Sequence, residues 1–299
     1  MSTAGAGVEG AGARRIRVMT WNVHGLRGSD GRRDPERIAE VIRACAPDVA
    51  GLQEVGAPAQ PGGPERAADL LAALTGMQLA FGPTLAPAHG FAYGNAVLSR
   101  TPIEAVRTYD LSVPGREPRC CLRADVAFPG ARAHVFSAHL GLHWRERRRQ
   151  AAQLLSADIL RDAALAYPLV LVGDFNSLTR RSAVPRWLRR TLTDCALAAG
   201  DAAPTFPARF PLLRLDHVYA SSALAVLDAH VVRTPLTRVA SDHLPVVVEL
   251  ELTAAAGHAP PPRAVEVPGV RTSAIRSTAR GERDASRPSA ASPAPCRNG

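Results

Sequence analysis

The stretch Pro168-Leu169-Val170-Leu171-Val172-Gly173-Asp174-Phe175-Asn176 opens with a short, β-branched apolar run held between Pro and Gly. It closes on a carboxylate and an amide two residues apart. Such a run reads as a strand buried on both faces, which belongs in a sheet covered on either side. Side chains alternate along an extended exit, so Asp174 and Asn176 point one way and Phe175 the other. Outward from this stretch the pattern repeats. Val246-Val247-Val248-Glu249-Leu250 is a second strand, entered through Ser241-Asp242-His243-Leu244-Pro245, and an Asp216-His217 pair lies between the two. Ile16 to Thr20 runs into Trp21-Asn22-Val23-His24, Asp48 to Leu52 runs into Gln53-Glu54, and Ala133 to Ser137 runs into Ala138-His139.

Helices are expected between the strands. Asp34-Pro35 supplies an N-cap acid and a first-turn Pro, and Ile38, Val41, Ile42 and Cys45 follow on one face. Pro64 to Leu74 repeats the pattern and closes at Gly76; a third helix is expected from Arg145 to Ala164, with Arg145 to Arg149 heavily charged beside His139. Strands and helices in this alternation make an α/β domain.

Asn22, Glu54, His139, Asp174, Asn176, Asp216, Asp242 and His243 all fall at strand ends or in the loops beside them. Carboxylates, amides and imidazoles gathered in this way suit a hard cation and an attacked phosphate, because magnesium favours oxygen ligands and keeps waters. Alone, an Asp-x-Asn is more often a turn; Asp216 as a partner for Arg214 and, with less weight, Asp242 as a turn cap are the other readings. The ordered companions reverse that weighting for the set. His217 reads as a packing residue, and His89, His134, His143 and His230 as surface or loop histidines.

Seven segments in order then carry a resemblance: Thr20 to Asn22, Gln53-Glu54, Gly94 to Arg100, Ala138 to Leu140, Gly173 to Asn176, Leu215 to Ser221, and Ser241 to Pro245. Together they resemble the endonuclease/exonuclease/phosphatase superfamily, which includes deoxyribonuclease I, exonuclease III, neutral sphingomyelinases and inositol polyphosphate phosphatases. The resemblance implies a four-layer α/β/β/α sandwich, two mixed sheets flanked by helices, with the site at one end. It implies Glu54, Asn22 and Asp242 as the metal ligands, for Mg2+ or Mn2+. It implies Asp174 as the group that orients or deprotonates water, Asn176 as a holder of that water or a phosphate oxygen, His243 set by Asp216 against the phosphate, and His139 at the phosphate or leaving oxygen. Asn95 is placed near the phosphate, with a buried strand-end amide as its other reading. His24 stands where several nucleases of the family carry an aspartate, and is grouped with Asn95 as substrate-binding. His139 sets the chain apart from exonuclease III, and Phe81 to Tyr93 offers it no acidic partner.

The activity implied is metal-dependent phosphodiester hydrolysis of a lipid, small-molecule or nucleic-acid substrate by attack of water. The alternatives are a DNA endonuclease or exonuclease of low sequence preference and a catalytically silent binding module. The expected partner is the phosphoester itself, as phospholipid, small diester or DNA, with no obligate protein partner.

The 299 residues are read as one domain over 14–253, with disordered segments at 1–13 and 254–299. The second of these holds seven arginines against three acids and so four of the nine formal positive charges, leaving the domain only modestly basic. Every basic residue is Arg and none is Lys, so arginine number is weak evidence for phosphate recognition. No run is long enough to span a bilayer and no apolar segment precedes the first strand. The five cysteines lack zinc spacing, and Cys120-Cys121 reads as core. A reduced, cytoplasmic setting is expected.

Overall fold

The computed structural model describes residues 15–56, 67–84, 93–128, 131–179 and 181–253. The two segments expected to be disordered, and the start of the second helix at Pro64, lie outside the described residues. In chain order the first elements are β1 (Arg15–Asn22), a 3-10 turn (His24–Leu26), α1 (Pro35–Cys45), β2 (Val49–Gly56), α2 (Ala67–Thr75), β3 (Gln78–Pro83) and β4 (Tyr93–Ser99). There follow β5 (Ile103–Asp110), β6 (Cys120–Phe128), β7 (Ala131–His139), α3 (Trp144–Leu154), β8 (Leu169–Asp174), α4 (Ala183–Leu188), β9 (Thr193–Asp194) and α5 (Cys195–Ala198). The chain ends its described part with β10 (Asp216–Ala220), β11 (Leu224–Val231), α6 (Thr237–Ala240) and β12 (Val246–Leu252).

The strands form two six-stranded sheets, ordered β11-β12-β1-β2-β4-β3 and β5-β6-β7-β8-β10-β9. Each sheet is mixed, since β1 and β2 are parallel in the first and β7 and β8 in the second, among antiparallel neighbours. Alternation sorts each strand between two cores. Val18, Val49 and Val97 of one sheet meet Leu122, Val135, Val170 and Val172 of the other. On the reverse faces Met19, Trp21 and Leu52 pack under Ile38, Val41 and Ile42 of α1, while Phe136, Leu169 and Leu171 pack under α3 and α4. The result is helix, sheet, sheet, helix, as the resemblance implies.

Two glycines let the layers approach. A Cβ on Gly51 would lie 2.2 Å from Val172 Cγ2 across the sheets, and one on Gly173 would lie 1.9 Å from the Ala138 carbonyl oxygen on β7. Helix α1 starts where the sequence places it, with Asp34 accepting from the Arg37 amide at 3.0 Å. Helix α3 stops ten residues before the expected end. Leu160 N donates to Leu154 O, and Ser156 Oγ accepts from Asp158 N, so turns replace the helix while Ile159 and Leu160 stay buried. His134 is also not a surface residue: it is buried on β7, 2.6 Å from Asp125 Oδ1 and against the Tyr167 ring. His89 lies outside the described residues.

Candidate active site

The inter-sheet face of the strands ends in the polar residues singled out above. On β1 the row Ile16, Val18, Thr20 leads to Asn22, on β7 Val135 and Ser137 lead to His139, and on β8 Val170 and Val172 lead to Asp174. On β10 the row begins at Asp216 and continues through Val218 and Ala220. Because β7 and β8 are parallel and β10 is antiparallel to β8, His139, Asp174 and Asp216 share one sheet edge. Asn22 meets them from the opposing sheet.

Glu54 needs a different device. Val49 lies in the inter-sheet core, so a regular β2 would turn Gln53 inward and Glu54 out. The ladder with β4 slips by one residue between Leu52 and Val55, and Glu54 takes a left-handed φ of 56°. This bulge brings the carboxylate into the site. Asn176 also departs from the extended exit expected of it, with a φ of 49°. Phe175 behind it is buried edge-on against His217 and Tyr219.

Asn22 Nδ2 lies 2.8 Å from Glu54 Oε1 and 3.1 Å from Asp174 Oδ2, joining the two carboxylates. Its Oδ1 accepts from the His24 amide at 3.0 Å. His243 Nδ1 lies 2.9 Å from Asp216 Oδ2, and its Nε2 faces Asp174 Oδ2 at 3.7 Å. Thr205 Oγ1 donates to the same Asp216 oxygen at 2.5 Å, and the Phe206 ring covers the imidazole. Trp21 Nε1 donates to His243 O, and Ser241 Oγ to Asn22 O, tying the 241–243 loop to β1. His139 Nε2 lies 3.5 Å from Asp174 Oδ2 and 3.8 Å from Glu54 Oε1. Asn176 Nδ2 is 3.2 Å from that same nitrogen and donates to Leu140 O, while the Asn176 amide donates to Asp174 Oδ1 at 2.9 Å.

Two of the singled-out residues stand further back. Asn95 is buried, and its amide donates to Cys120 O and Ser137 O. Asp242 is paired with His24 Nδ1 at 2.7 Å, and this hydrogen bond first of all raises the His24 pKa. His24 thus holds a carboxylate in place of being one. Arg214 pairs with Asp194, leaving Asp216 to His243.

Sequence reasoning missed Arg119, Glu117, Tyr93 and Thr205. Arg119 is buried with Nη1 3.4 Å from His139 Nδ1, and its guanidinium pairs with Glu117 at 2.9 Å. Its signal is slight: an arginine next to two core cysteines at the start of a strand.

The charges are unevenly set. Burial favours a neutral Glu54, but attraction to a protonated His139, the Asn22 amide and the Tyr93 hydroxyl outweigh it and bring the carboxyl down to about 2. Burial and the Arg119 charge push His139 down to about 3, so the ring is neutral. Burial also works against a charged His243, yet the Asp216 carboxylate raises it to about 10. Burial and repulsion from Asp216 raise Asp174, against the pull of His243, to about 7. Two carboxyls thus receive opposite tasks, one ionised and one able to take a proton.

Asp174, Asp216 and His243 offer ligand atoms within 4.8 Å of one another. As an imidazolium bound to Asp216, however, His243 has no lone pair for an ion. The donors that fit a hard divalent cation are the ionised Glu54 carboxylate and the Asp174 carboxylate joined to it through Asn22.

The model of the Endonuclease/Exonuclease/phosphatase family matches residues 19–243. The chain belongs to this family. The uncharacterized protein YbhP of Escherichia coli (strain K12) is 34% identical over 250 residues, which is 79% of this chain and 96% of YbhP. The crystal structure of an endonuclease/exonuclease/phosphatase from Beutenbergia cavernae DSM 12333 has 30% identity and a TM-score of 0.67, covering 81% of this chain and 72% of that one. The mannosyl-6-phosphatase Bt3783 of Bacteroides thetaiotaomicron VPI-5482 shares the fold at 20% identity and a TM-score of 0.63, over 79% and 99% of the two chains. Members of the endonuclease/exonuclease/phosphatase family are hydrolases of phosphoester bonds, and the family generally uses divalent metals. No helix among the described residues is long and apolar enough to cross a membrane.

Proposed function

We propose that this chain is a divalent-metal-dependent phosphodiesterase that hydrolyses its substrate by direct attack of water. The observation that carries the reading is Asp174, buried between Asn22 on one side and His243 and His139 on the other, with its carboxyl raised to about 7. A carboxylate so placed accepts a proton near neutrality. Glu54, bonded to Asn22, would hold Mg2+ or Mn2+, with Asp242 as the further carboxylate. When bound, the ion supplies charge neutralisation at the phosphate and polarises its oxygen.

The remaining steps are the chain's own. The His243 imidazolium, fixed through Nδ1 by Asp216, presents Nε2 to a phosphate oxygen and stabilises charge that grows there in the transition state. Asp174, oriented by the Asn176 amide, takes the proton of the attacking water. Neutral His139 presents Nε2 at the same centre, where it serves the phosphate or the leaving oxygen. His24 and Asn95 support the site through Asp242 and through the backbone of β6 and β7.

The test is hydrolysis of a chromogenic phosphodiester, a chromogenic monoester, plasmid DNA and phospholipid by the wild type and Asp174→Ala, with magnesium, manganese or chelator. Metal-dependent turnover of a diester, lost in the variant, is the expected result. Turnover of the monoester alone would replace the diester reading, and folded protein without turnover on any substrate would favour a binding module.

A further inference from the structure

The large apolar side chains left exposed are concentrated around the site. Among the described residues, Leu142, Trp144, Leu178, Phe210 and Leu212 are 73%, 51%, 58%, 78% and 79% exposed, and only Val106 and Leu227 are exposed elsewhere. All five sit on, or at the helical end of, three connections at one end of the second sheet. Leu142 and Trp144 follow His139, Leu178 follows Asn176, and Phe210 and Leu212 lie in the turn that precedes Asp216. The last connection is rooted in the catalytic residues. Thr205 bonds Asp216, Phe206 covers His243 and bridges to Leu213, and the tip beyond them projects into solvent.

Charge follows the same three connections. Residues 140–149, 177–190 and 202–215 contain eleven arginines, of which Arg147 is buried on the Gly141 and Leu142 carbonyls and Arg214 pairs with Asp194, and their only acid is Glu146, which is buried. Arg145 and Arg148 lie over the Trp144 ring at 5.1 and 5.9 Å, and Arg148 also lies over Trp187, so the connections after β7 and β8 are joined. Aliphatic tips need an apolar phase, which a nucleic-acid backbone does not offer. A second copy seated face to face would set arginine against arginine. A bilayer with anionic headgroups takes both features, accepting the tips below the headgroups and the guanidiniums among them.

We propose that this rim seats on an anionic lipid bilayer, so that the phosphoester delivered to the site belongs to a membrane lipid headgroup. The proposal rests on the phosphodiesterase reading for its substrate, while the docking surface stands by itself.

The test is sedimentation of the full chain with vesicles of phosphatidylcholine alone and with 30% phosphatidylglycerol, about a third anionic lipid being enough to attract a basic surface. The wild type should bind the anionic vesicles and bind them less as salt rises. The pairs Phe210→Ser with Leu212→Ser, and Leu142→Ser with Leu178→Ser, should each weaken binding at least about tenfold, at unchanged circular dichroism, through loss of buried apolar area. Both pairs should keep wild-type hydrolysis of the soluble diester and lose that of vesicle lipid. Asp174→Ala should bind as the wild type does. Absence of vesicle binding, binding indifferent to both pairs, as a basic terminal segment would give, or a dimer dissolved by the Phe210 pair would each overturn the proposal. Vesicle binding without turnover of any diester would instead sink the phosphodiesterase reading and leave the docking surface intact.

Discussion

Arg119 Nη1 faces His139 Nδ1 at 3.4 Å, and a guanidinium can only donate a hydrogen bond. With Nδ1 the acceptor, the neutral ring carries its proton on Nε2, toward Asp174 and Glu54, and the Asn176 amide nitrogen 3.2 Å from Nε2 gives its hydrogen to Leu140 O instead. A basic residue sets this tautomer, where the sequence shows no acid to do so. Arg119→Met should lower kcat about 10- to 100-fold, the usual scale for loss of an orienting partner, with less effect on KM. Long-range proton–nitrogen spectra should show His139 as a single Nε2–H form in the wild type and a mixture in the variant. A single unchanged tautomer in Arg119→Met would refute the assignment.

Asp174→Asn should abolish turnover and leave the fold as stable or more so. The wild-type carboxyl is raised by burial and by Asp216, which means its ionised form is disfavoured in the folded state. An amide of the same shape removes that conflict and the base, which offsets the loss of whichever bond, from Asn176 or from Asn22, its NH2 cannot accept. A loss of about 10²- to 10⁴-fold in kcat is the range for general-base removal, and thermal unfolding should move upward or not at all.

Glu54→Gln should act on the metal rather than on the proton. With its carboxyl held at about 2, Glu54 stays charged down to acidic pH, so the wild-type metal affinity should not fall between pH 7 and 5 on its account. The amide should require roughly tenfold or more metal for half-maximal activity, the low end for a disturbed site. Titration with magnesium and manganese measures this directly.

His243 gives a stability signature in the alkaline range. Its pKa rises from an ordinary 6.5 to about 10 in the fold, chiefly against burial and through Asp216. The folded state therefore holds a proton that the unfolded chain releases. This contribution is complete below pH about 6.5 and is lost as pH rises to about 10. Asp216→Asn should flatten the slope of urea-unfolding free energy across that window. An identical slope in the variant would show that the pair is not the cause.

Gly51→Ala should destabilise by about 1–3 kcal/mol through overpacking against Val172. Val172→Ala in the same chain should return part of the loss, a coupling that a double-mutant cycle in urea isolates.

Much of this was legible in the sequence because the catalytic residues terminate strands whose apolar alternation is plain. Asp174, Asp216, His139 and Asn22 follow from the strands that carry them, and α1 follows from Asp34-Pro35. Glu54 is legible at the end of its strand and its ligand role through the resemblance, but the bulge that aims it leaves no periodic mark, since one extra residue in β2 looks like strand. The end of α3 was missed for a local reason: Leu154, Leu155 and Ile159 keep helical spacing after the chain has turned. Arg119 was missed for a nonlocal one. Its contact with His139 spans twenty residues and arises from the pairing of β6 with β7.

The division of the site between two sheets sets how the chain can be taken apart. Sheet two is built from one continuous stretch, β5 to β10, while sheet one is assembled from what precedes and follows it. Asn22 and Glu54 belong to the outer pieces, and His139, Asp174 and Asp216 to the stretch between. Cut between β4 and β5, the chain would yield two fragments that each hold part of the catalytic set and neither a complete one. Catalysis in such a pair would register their reassembly against a silent background, which makes the chain a two-piece reporter by construction.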